Sequence, residues 1–302
     1  MLTIFEQVFI LFLFAAIGYF LCKIRVLKAE YAQLLSGLLV YVFLPCNNFN
    51  SFASGFTIAY IKESYLLLLI SLGVTILIAI FAFFISRVLS KKSYERGIYE
   101  YSLTASNFGY MGYALAESIF GTLGLRNFIM YTIPLTIYVN SYGFCRLTKR
   151  SFSIKKLFNP PTVAMLVGAI WGLFSIPLPE MGWGFLQKSA GCMAPCSMLL
   201  MGIVVSQFSL KSLLKEKKVY IITCFRLLLI PIAIGGILML FCQESIVQIA
   251  VLAYVMPCGL NTIVFPRLVN EDCHIGAGLA VVSTVLACIT IPLVLGIFGI
   301  TL

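Results

Sequence analysis

The chain has 302 residues, of which 61% are hydrophobic and only 11% are charged, with a formal net charge of +10. A soluble domain of this size needs more polar surface to cover its core, so the composition indicates a polytopic membrane protein. The basic residues are scattered through short segments between apolar runs, which is typical of topology signals and not of a nucleic-acid-binding surface. We therefore expect contact with the lipid bilayer and no nucleic-acid partner.

Ten apolar runs are long enough to span a bilayer, which takes about 20 residues each. They fall at about residues 4–22, 33–52, 65–87, 97–118, 127–146, 160–177, 187–208, 219–242, 245–266 and 276–300. Polar and helix-breaking residues interrupt the fourth, seventh and ninth runs. The predicted fold class is an all-α polytopic membrane protein with ten transmembrane helices.

The distribution of Lys and Arg predicts the orientation of these spans. Alternate loops hold 17 basic residues, whereas the opposite loops hold only Lys62, Arg126 and Lys188. Because cytoplasmic loops are the basic ones, both termini are predicted to lie outside a plasma (inner) membrane. No Lys or Arg precedes Lys23, so the first run is interpreted as a retained helix and not as a cleaved signal peptide.

The two halves of the chain repeat three motifs in the same order. FLPCNN (43–48) matches MAPCSM (193–198), the polar segment around Asn107 matches MPCGLN (256–261), and IPLTI (133–137) matches IPLVL (291–295). An odd number of helices per unit inserts the second unit upside down, and inverted repeats are typical of secondary transporters. We predict two inverted five-helix repeats, residues 1–150 and 151–302.

The fourth span contains the polar segment SLTASNFGYMGYAL (102–115). Non-helical backbone survives at membrane depth only beside protein or a water-filled cavity, because unpaired groups in hydrocarbon cost several kcal/mol each. Asn107, Gly109 and Gly112 are therefore candidates for a solute site in a broken helix. The alternative is tight helix packing, since small residues three or four apart often mark membrane helix interfaces.

The ninth span carries a matching set of residues, Pro257, Gly259 and Asn261. Pro257 lacks an amide donor and clashes with the preceding turn. A proline kink alone is common, but its correspondence to the break in the fourth span favours two broken helices that cross. Two half-helix N-termini would then point partial positive charge into the crossing and favour an anionic group there.

Four further residues in or near apolar spans have two interpretations each. Asn47 and Asn140 either line a substrate path or are hydrated amides at a kink. Glu100 is the candidate for proton coupling, or it is interfacial. Arg226 either snorkels to the cytoplasmic interface or supplies a counter-charge for an anion.

The sequence predicts neither an enzyme nor a metal site. It contains no HExxH, GxSxG or P-loop motif, and the ten cysteines do not have zinc-ligand spacing. Glu271, Asp272 and the single histidine, His274, could form a metal site, but a hydrated loop turn is the simpler reading. We predict no catalytic residues and no cofactor, and coupling to H⁺ or Na⁺ is left open.

Several motifs together resemble the auxin efflux carrier family, which includes bacterial malate-permease-like members and plant auxin exporters. They are NxGxxG (107–112), NPPTVAMLVGAIWG (159–172), GIVVSQ (202–207), MPCGLN and STVLACITIPLV (283–294). The resemblance implies a scaffold of spans 1, 2, 6 and 7, often a dimer surface. It also implies a moving transport unit of spans 3–5 and 8–10 with broken, crossing helices 4 and 9. The site in this family maps onto Asn107, Pro257 and Asn261, but the proline usual two residues after the second glycine is Ala114 here.

The predicted function is secondary transport of a small organic anion, carboxylate-like, by elevator-like alternating access. The predicted partners are this substrate, the bilayer and a second copy of the chain bound through the scaffold. Two alternatives stand beside it. One is a sodium-coupled importer resembling the bile-acid symporter family, and the other is a membrane receptor or scaffold that transports nothing.

Overall fold

The computed structural model describes residues 2–149 and 158–300, and every regular element within these ranges is helical. The boundary predicted between residues 150 and 151 lies outside the described residues. The first six helices are α1 (Leu2–Lys23), α2 (Tyr31–Gly55), α3 (Ile58–Leu89), α4 (Ser93–Thr104), α5 (Tyr113–Tyr138) and α6 (Pro160–Leu173). Helix α5 continues through a π-helical turn, Val139–Gly143, into one further helical turn, Phe144–Leu147. The next six are α7 (Glu180–Val205), α8 (Leu210–Lys215), α9 (Lys217–Leu238), α10 (Glu244–Val255), α11 (Asn261–Leu268) and α12 (His274–Ile297).

Among the described helices, α2, α3, α7, α9 and α12 are long and apolar enough to cross a membrane. Shorter apolar helices lie at Phe9–Lys23, Pro160–Leu173 and Glu244–Val255. A kink at Gly121, where φ is 68°, divides α5. The predicted all-helical membrane class is confirmed, and the arrangement of ten spans as inverted repeats stays a prediction.

Helix α3 has its polar side chains inside the protein and its large apolar side chains outside. Its buried positions, spaced three or four residues apart, include Ser64, Ser71, Thr75 and Ser86. Large aliphatic and aromatic side chains point outward from the same helix, including Leu69, Leu72, Ile76, Leu77, Ile80 and Phe84. Helices in lipid associate through small and hydroxyl side chains and expose apolar ones, so this pattern is the one expected of a membrane span.

Helix α10 forms the centre of the molecule. Every residue from 249 to 255 is buried, and the helix belongs to the main hydrophobic core. A helix that is apolar all round lies either in the core of a protein or in the membrane, and the burial of α10 shows that it lies in the core. The helix ends at Val255, two residues before Pro257, so it stops inside the protein.

Helices α1 and α7 approach so closely that glycine is required where they meet. A Cβ atom at Gly202 of α7 would overlap the carbonyl oxygen of Ala15, and one at Gly18 of α1 would overlap the carbonyl oxygen of Leu199. The two glycines thus let backbone pack against backbone from both sides. Close backbone approach through small residues is a principal source of stability between membrane helices.

We predict that Gly202→Ala destabilises the protein, because the added methyl group forces α1 and α7 apart. Overpacking of this kind costs about 1–3 kcal/mol, so the melting temperature of the detergent-purified protein should fall. The matched control is Gly73→Ala in α3, where a Cβ meets nothing within 4 Å. Equal melting temperatures for the two variants would contradict the proposed close contact.

Candidate functional site

Two helices are interrupted in the interior of the protein. Helix α4 ends at Thr104, Ala105 is extended, and the chain resumes as a π-helical turn at Phe108–Gly112 that leads into α5. Helix α10 ends at Val255, and α11 begins at Asn261. Both interruptions fall inside the motifs that the sequence singled out. Residue 114 lies in the first turn of α5, so the break in the backbone precedes Ala114 and requires no proline there.

The local sequence explains why α10 stops. The residue before a proline is driven out of the helical region, and Met256 before Pro257 is extended, with φ −62° and ψ 150°. Because Pro257 has no amide N–H, it also cannot continue the helical hydrogen bonds. The chain then takes a short irregular path before α11.

The two interrupted segments pair with each other. Ser106 and Cys258 form an isolated antiparallel bridge, in which the amide N–H of Asn107 donates to the carbonyl oxygen of Pro257 at 2.8 Å. The hydroxyl of Ser106 donates to the carbonyl oxygen of Ala253 at 2.6 Å. Backbone groups released by one break are therefore satisfied by the other, as interior burial demands.

Arg226 joins the C-terminal ends of α4 and α10. Its Nη1 donates to the carbonyl oxygen of Leu103 at 2.9 Å, and its Nε donates to the carbonyl oxygen of Met256 at 3.2 Å. Its guanidinium carbon lies 5.3 Å from the centre of the Tyr254 ring. A cation is favoured at the negative end of a helix dipole, and here one cation serves two helix ends.

The burial of Arg226 corrects one sequence interpretation. The side chain is 0% exposed, so the interpretation that it snorkels to the membrane interface is wrong. Arg226 belongs to the eighth predicted span, which corresponds to α9, and its side chain turns inward to the crossing. The residue also does not line the cavity described next.

Beside the crossing lies a cavity of about 30 Å³, roughly the volume of one water molecule. Five of the eight residues predicted for substrate binding line it: Gly109, Gly259, Asn261, Asn47 and Asn140. Its wall also includes aromatic side chains that the sequence analysis did not single out, namely Tyr101, Phe108, Tyr110 and Tyr113. None of the described residues that line it is charged.

Asn261 is held by two tyrosines. Its Oδ1 accepts from the hydroxyl of Tyr110 at 2.8 Å, and its Nδ2 donates to the hydroxyl of Tyr101 at 2.8 Å. Tyr101 directly precedes the polar segment of the fourth span (102–115) and Tyr110 lies within it, so their position in sequence was the available signal. An amide fixed at both atoms presents its hydrogen-bonding groups in one defined orientation.

Gly259 brings the backbone of the second break against the first. A Cβ atom there would lie 3.1 Å from the ring of Tyr101 and 3.3 Å from the carbonyl oxygens of Ala105 and Ser106. Only a residue without a side chain fits this approach comfortably. The glycine thus favours the close approach of the two segments at the crossing.

Two asparagines reach the cavity from outside the crossing. Asn47 of α2 is 8% exposed, and its neighbour Asn48 donates from Nδ2 to the carbonyl oxygen of Pro161. Asn140 lies in the π-helical turn Val139–Gly143, and its Oδ1 is buried without a hydrogen-bond partner among the described residues. Its carbonyl oxygen accepts from Nδ2 of Asn159 at 2.7 Å.

The other three predicted residues have different surroundings. Asn107 is 1% exposed, and neither polar atom of its side chain has a hydrogen-bond partner in the described part of the chain. Gly112 packs against the ring of Phe128, and Pro257 contributes its carbonyl oxygen to the bridge. These residues shape the crossing and do not line the cavity.

Glu100 lies away from the cavity and is 3% exposed. Its carboxylate is contacted at 3.2 Å by both Arg87 and Arg146, and it accepts from the hydroxyl of Tyr142 at 3.0 Å. It is therefore a buried, ion-paired group.

The loop with Glu271, Asp272 and His274 has its side chains turned to separate partners. Glu271 pairs with Lys149, Asp272 accepts from the backbone N–H of His274, and the ring of His274 contacts the hydroxyl of Ser212. Among residues 2–149 and 158–300, no group of three or more His, Cys, Asp or Glu side chains could hold a metal ion.

Comparison with known proteins gives one family and two relatives. The model of a family described as "Membrane transport protein" matches residues 3–150 and 141–295. An uncharacterized transporter of Methanothermobacter thermautotrophicus is 24% identical over 299 residues, which cover 95% of this chain and 96% of the relative. An uncharacterized transporter of Methanocaldococcus jannaschii is 25% identical over 218 residues, which cover 68% of this chain and 70% of the relative.

We predict that Arg226→Gln loosens the crossing and exposes Cys258, which is 0% exposed. Hydrogen bonds from a charged donor contribute about 1.5–3 kcal/mol each, so maleimide labelling of Cys258, with the other cysteines replaced, should accelerate about tenfold or more. Arg226→Lys should be intermediate, because an ammonium group lacks the planar fork that reaches two carbonyls. Lys211→Gln, at an exposed position, is the control. Unchanged labelling in Arg226→Gln would contradict the role of the guanidinium.

Proposed function

The chain belongs to the auxin-efflux-carrier-like family of membrane transport proteins, and from that premise we propose that it is a secondary transporter of a small organic anion. The observation that carries the proposal is the cavity where two interrupted helices meet. Interrupted helices with polar groups at mid-membrane depth are the usual site of transporters with alternating access. The proposed substrate is a carboxylate, and the family to which the chain belongs argues against an enzyme.

The chemistry of the cavity supports an anionic substrate without a fixed counter-ion. Amide groups of Asn47, Asn140 and Asn261 offer donors to carboxylate oxygens. The chain resumes its helical path next to the cavity at Phe108 and Asn261, and each such N-terminus favours an anion by about 0.3–1 kcal/mol. The positive potential in this proposal comes from helix dipoles and amides.

The size of the cavity supports alternating access. A space of about 30 Å³ holds about one water molecule, so an organic anion requires its walls to separate. The walls come from α2 and α7 on one side, through Asn47 and Met193, and from the crossing on the other. We propose that the crossing moves against α2 and α7 in an elevator-like step.

The proposed architecture is ten spans in two inverted five-helix repeats, residues 1–150 and 151–302. The matching interruptions at 105–107 and 256–260 support this, as does a family match in two stretches that meet near residue 150. In this proposal α1, α2, α6 and α7 form the scaffold, through which a homodimer would form. The basic loops favour a plasma-membrane protein with both termini outside.

The proposal leaves open whether H⁺ or Na⁺ is coupled to transport. It is tested by measuring uptake of malate, succinate and indole-3-acetate into proteoliposomes across gradients of pH and of sodium. A sodium requirement would favour the bile-acid-symporter-like alternative. Absence of flux of any carboxylate under all gradients would favour a receptor or scaffold.

We predict that Asn261→Ala lowers uptake of the transported carboxylate at least about tenfold, because loss of a charge-assisted hydrogen bond costs about 1.5–3 kcal/mol. Tyr110→Phe, which removes one of the two hydroxyls that hold Asn261, should lower uptake less. Gln33→Ala, at an exposed position remote from the cavity, is the matched control. Wild-type uptake by Asn261→Ala at normal expression would reject this site.

The side chain of Asn107 gives a separate prediction. Because both of its polar atoms are buried without a partner in the ranges 2–149 and 158–300, Asn107→Ala should retain the fold with a melting temperature close to that of the wild type. If the open site brings this amide to the substrate, as we propose, uptake falls while stability does not. Uptake and stability that are both unchanged would remove Asn107 from the proposed site.

Alternating access predicts that Gly109→Cys can be labelled from each side of the membrane. The position lines the cavity, and a Cβ there meets nothing within 4 Å. In a background without the native cysteines, membrane-impermeant thiol reagents applied to right-side-out and inside-out vesicles should both react. Labelling from one side alone, with substrate present or absent, would contradict the mechanism and favour a static receptor.

A further inference from the structure

A second concave surface lies on the outside of the protein, between α3 and the end of α5. Six side chains form most of its wall, four on α3 and two on the opposite side: Ile76, Ile80, Phe83, Phe84, Tyr138 and Tyr142. We call it the α3 groove. Its volume is about 610 Å³, and Ile80 and Phe84 are 52% and 61% exposed. The groove therefore opens toward the surroundings of the helix bundle and not toward the cavity at the crossing.

The α3 groove ends at a cluster of charges. Glu100 lines the groove and is buried between two arginines, Arg87 of α3 and Arg146. One carboxylate between two guanidinium groups leaves a formal charge of +1. The end of the groove is thus positive, while its wall is apolar.

Both guanidinium groups keep donors available for a further anion. Arg87 uses Nη1 for Glu100 and for the carbonyl oxygen of Phe83, and Arg146 uses Nε for Glu100 and Nη2 for the carbonyl oxygen of Ser93. A guanidinium has five N–H donors. The side chains of Arg87 and Arg146 are 39% and 28% exposed, so the remaining donors are accessible.

We propose that the α3 groove binds one anionic phospholipid, with an acyl chain along the apolar wall and the phosphate on Arg87 and Arg146. The lining of α3 from Ile76 to Phe84 extends about 12 Å along the helix axis at 1.5 Å per residue. This approaches the half-thickness of the hydrocarbon core, about 15 Å. Arg87 follows Phe84 by about one turn, which is where a headgroup meets the chain of a lipid in that leaflet.

The apolar wall of the α3 groove and the positive charge at its end together favour a lipid over other anions. Basic pockets between membrane helices bind anionic headgroups, and arginine holds phosphate through paired, planar donors. A free phosphate ion would use the arginines but not the apolar wall, whereas a zwitterionic lipid would use the wall but gain little from the net positive charge. The proposal does not depend on which solute the protein transports.

Competition between lipids tests the proposal. The purified full-length protein in detergent is titrated with phosphatidylglycerol and with phosphatidylcholine of the same chains, and bound lipid is measured by native mass spectrometry. Wild-type protein should bind phosphatidylglycerol in preference, with one high-affinity lipid per chain. Inorganic phosphate in excess should displace only a little of the bound phosphatidylglycerol. Full displacement by phosphate would show that the arginines bind an anion while the apolar wall binds nothing, and would overturn the proposal.

Variants separate the two parts of the site. A triple variant, Arg87→Gln with Arg146→Gln and Glu100→Gln, avoids leaving a buried charge unpaired. It should bind phosphatidylglycerol about fivefold more weakly, because the net charge at the end of the groove falls from +1 to 0. Ile80→Trp narrows the groove at an exposed position and should also weaken binding while the arginines remain. Lys211→Gln is the control for loss of an exposed basic residue. The proposal is overturned if wild type shows no preference for phosphatidylglycerol, or if Ile80→Trp and the triple variant both bind as the wild type does.

Discussion

The interaction on which the rest of the structure depends is the pair of hydrogen bonds from Arg226 to Leu103 and Met256. Two helices that stop inside a membrane protein leave carbonyl groups that water cannot reach, and each unpaired group costs several kcal/mol. A guanidinium is permanently charged and donates in several directions. Its own burial costs several kcal/mol, and the two helix ends and the Tyr254 ring offset part of this cost, while Nη2 has no hydrogen-bond partner among the described residues. The cation and the two breaks therefore require one another.

This arrangement separates the two kinds of helix end. The C-terminal ends of α4 and α10 face Arg226, whereas the chain resumes at Phe108 and Asn261 beside the cavity. The charge of Arg226 thus interacts with the two helix C-termini on one side of the crossing. The polar groups at the cavity on the other side are amides, hydroxyls and helix N-termini. A neutral wall suits a site that must release its ligand, because a fixed salt bridge in low dielectric would hold an anion too strongly.

The sequence indicated where the helices break, because proline, glycine and polar residues in an apolar span have direct backbone consequences. It did not indicate the register of the crossing. The repeated motifs align the polar segment around Asn107 with MPCGLN, which ends at Asn261. In the structure the bridge pairs Ser106 with Cys258. Asn107 comes just before the π-helical turn, whereas Asn261 is the first residue of α11. The role of Arg226 was equally inaccessible, since Leu103 lies 123 residues away in sequence. Contacts of that range follow from packing and not from local pattern.

The bonds that would break in an elevator-like step are different from those that hold the crossing. Under the proposed division, α4, α9 and α10 belong to one unit, so both hydrogen bonds of Arg226 remain intact as that unit moves. Among the described residues, the polar contacts between this unit and the scaffold include a buried one beside the cavity and an exposed one away from it. One is the bond from Asn159 to the carbonyl oxygen of Asn140, and another is the bond from Arg267 to Gln207 at 2.5 Å. A typical hydrogen bond contributes only about 0.5–1.5 kcal/mol net when its groups find other partners, so these polar contacts can exchange in the proposed step while the crossing stays rigid.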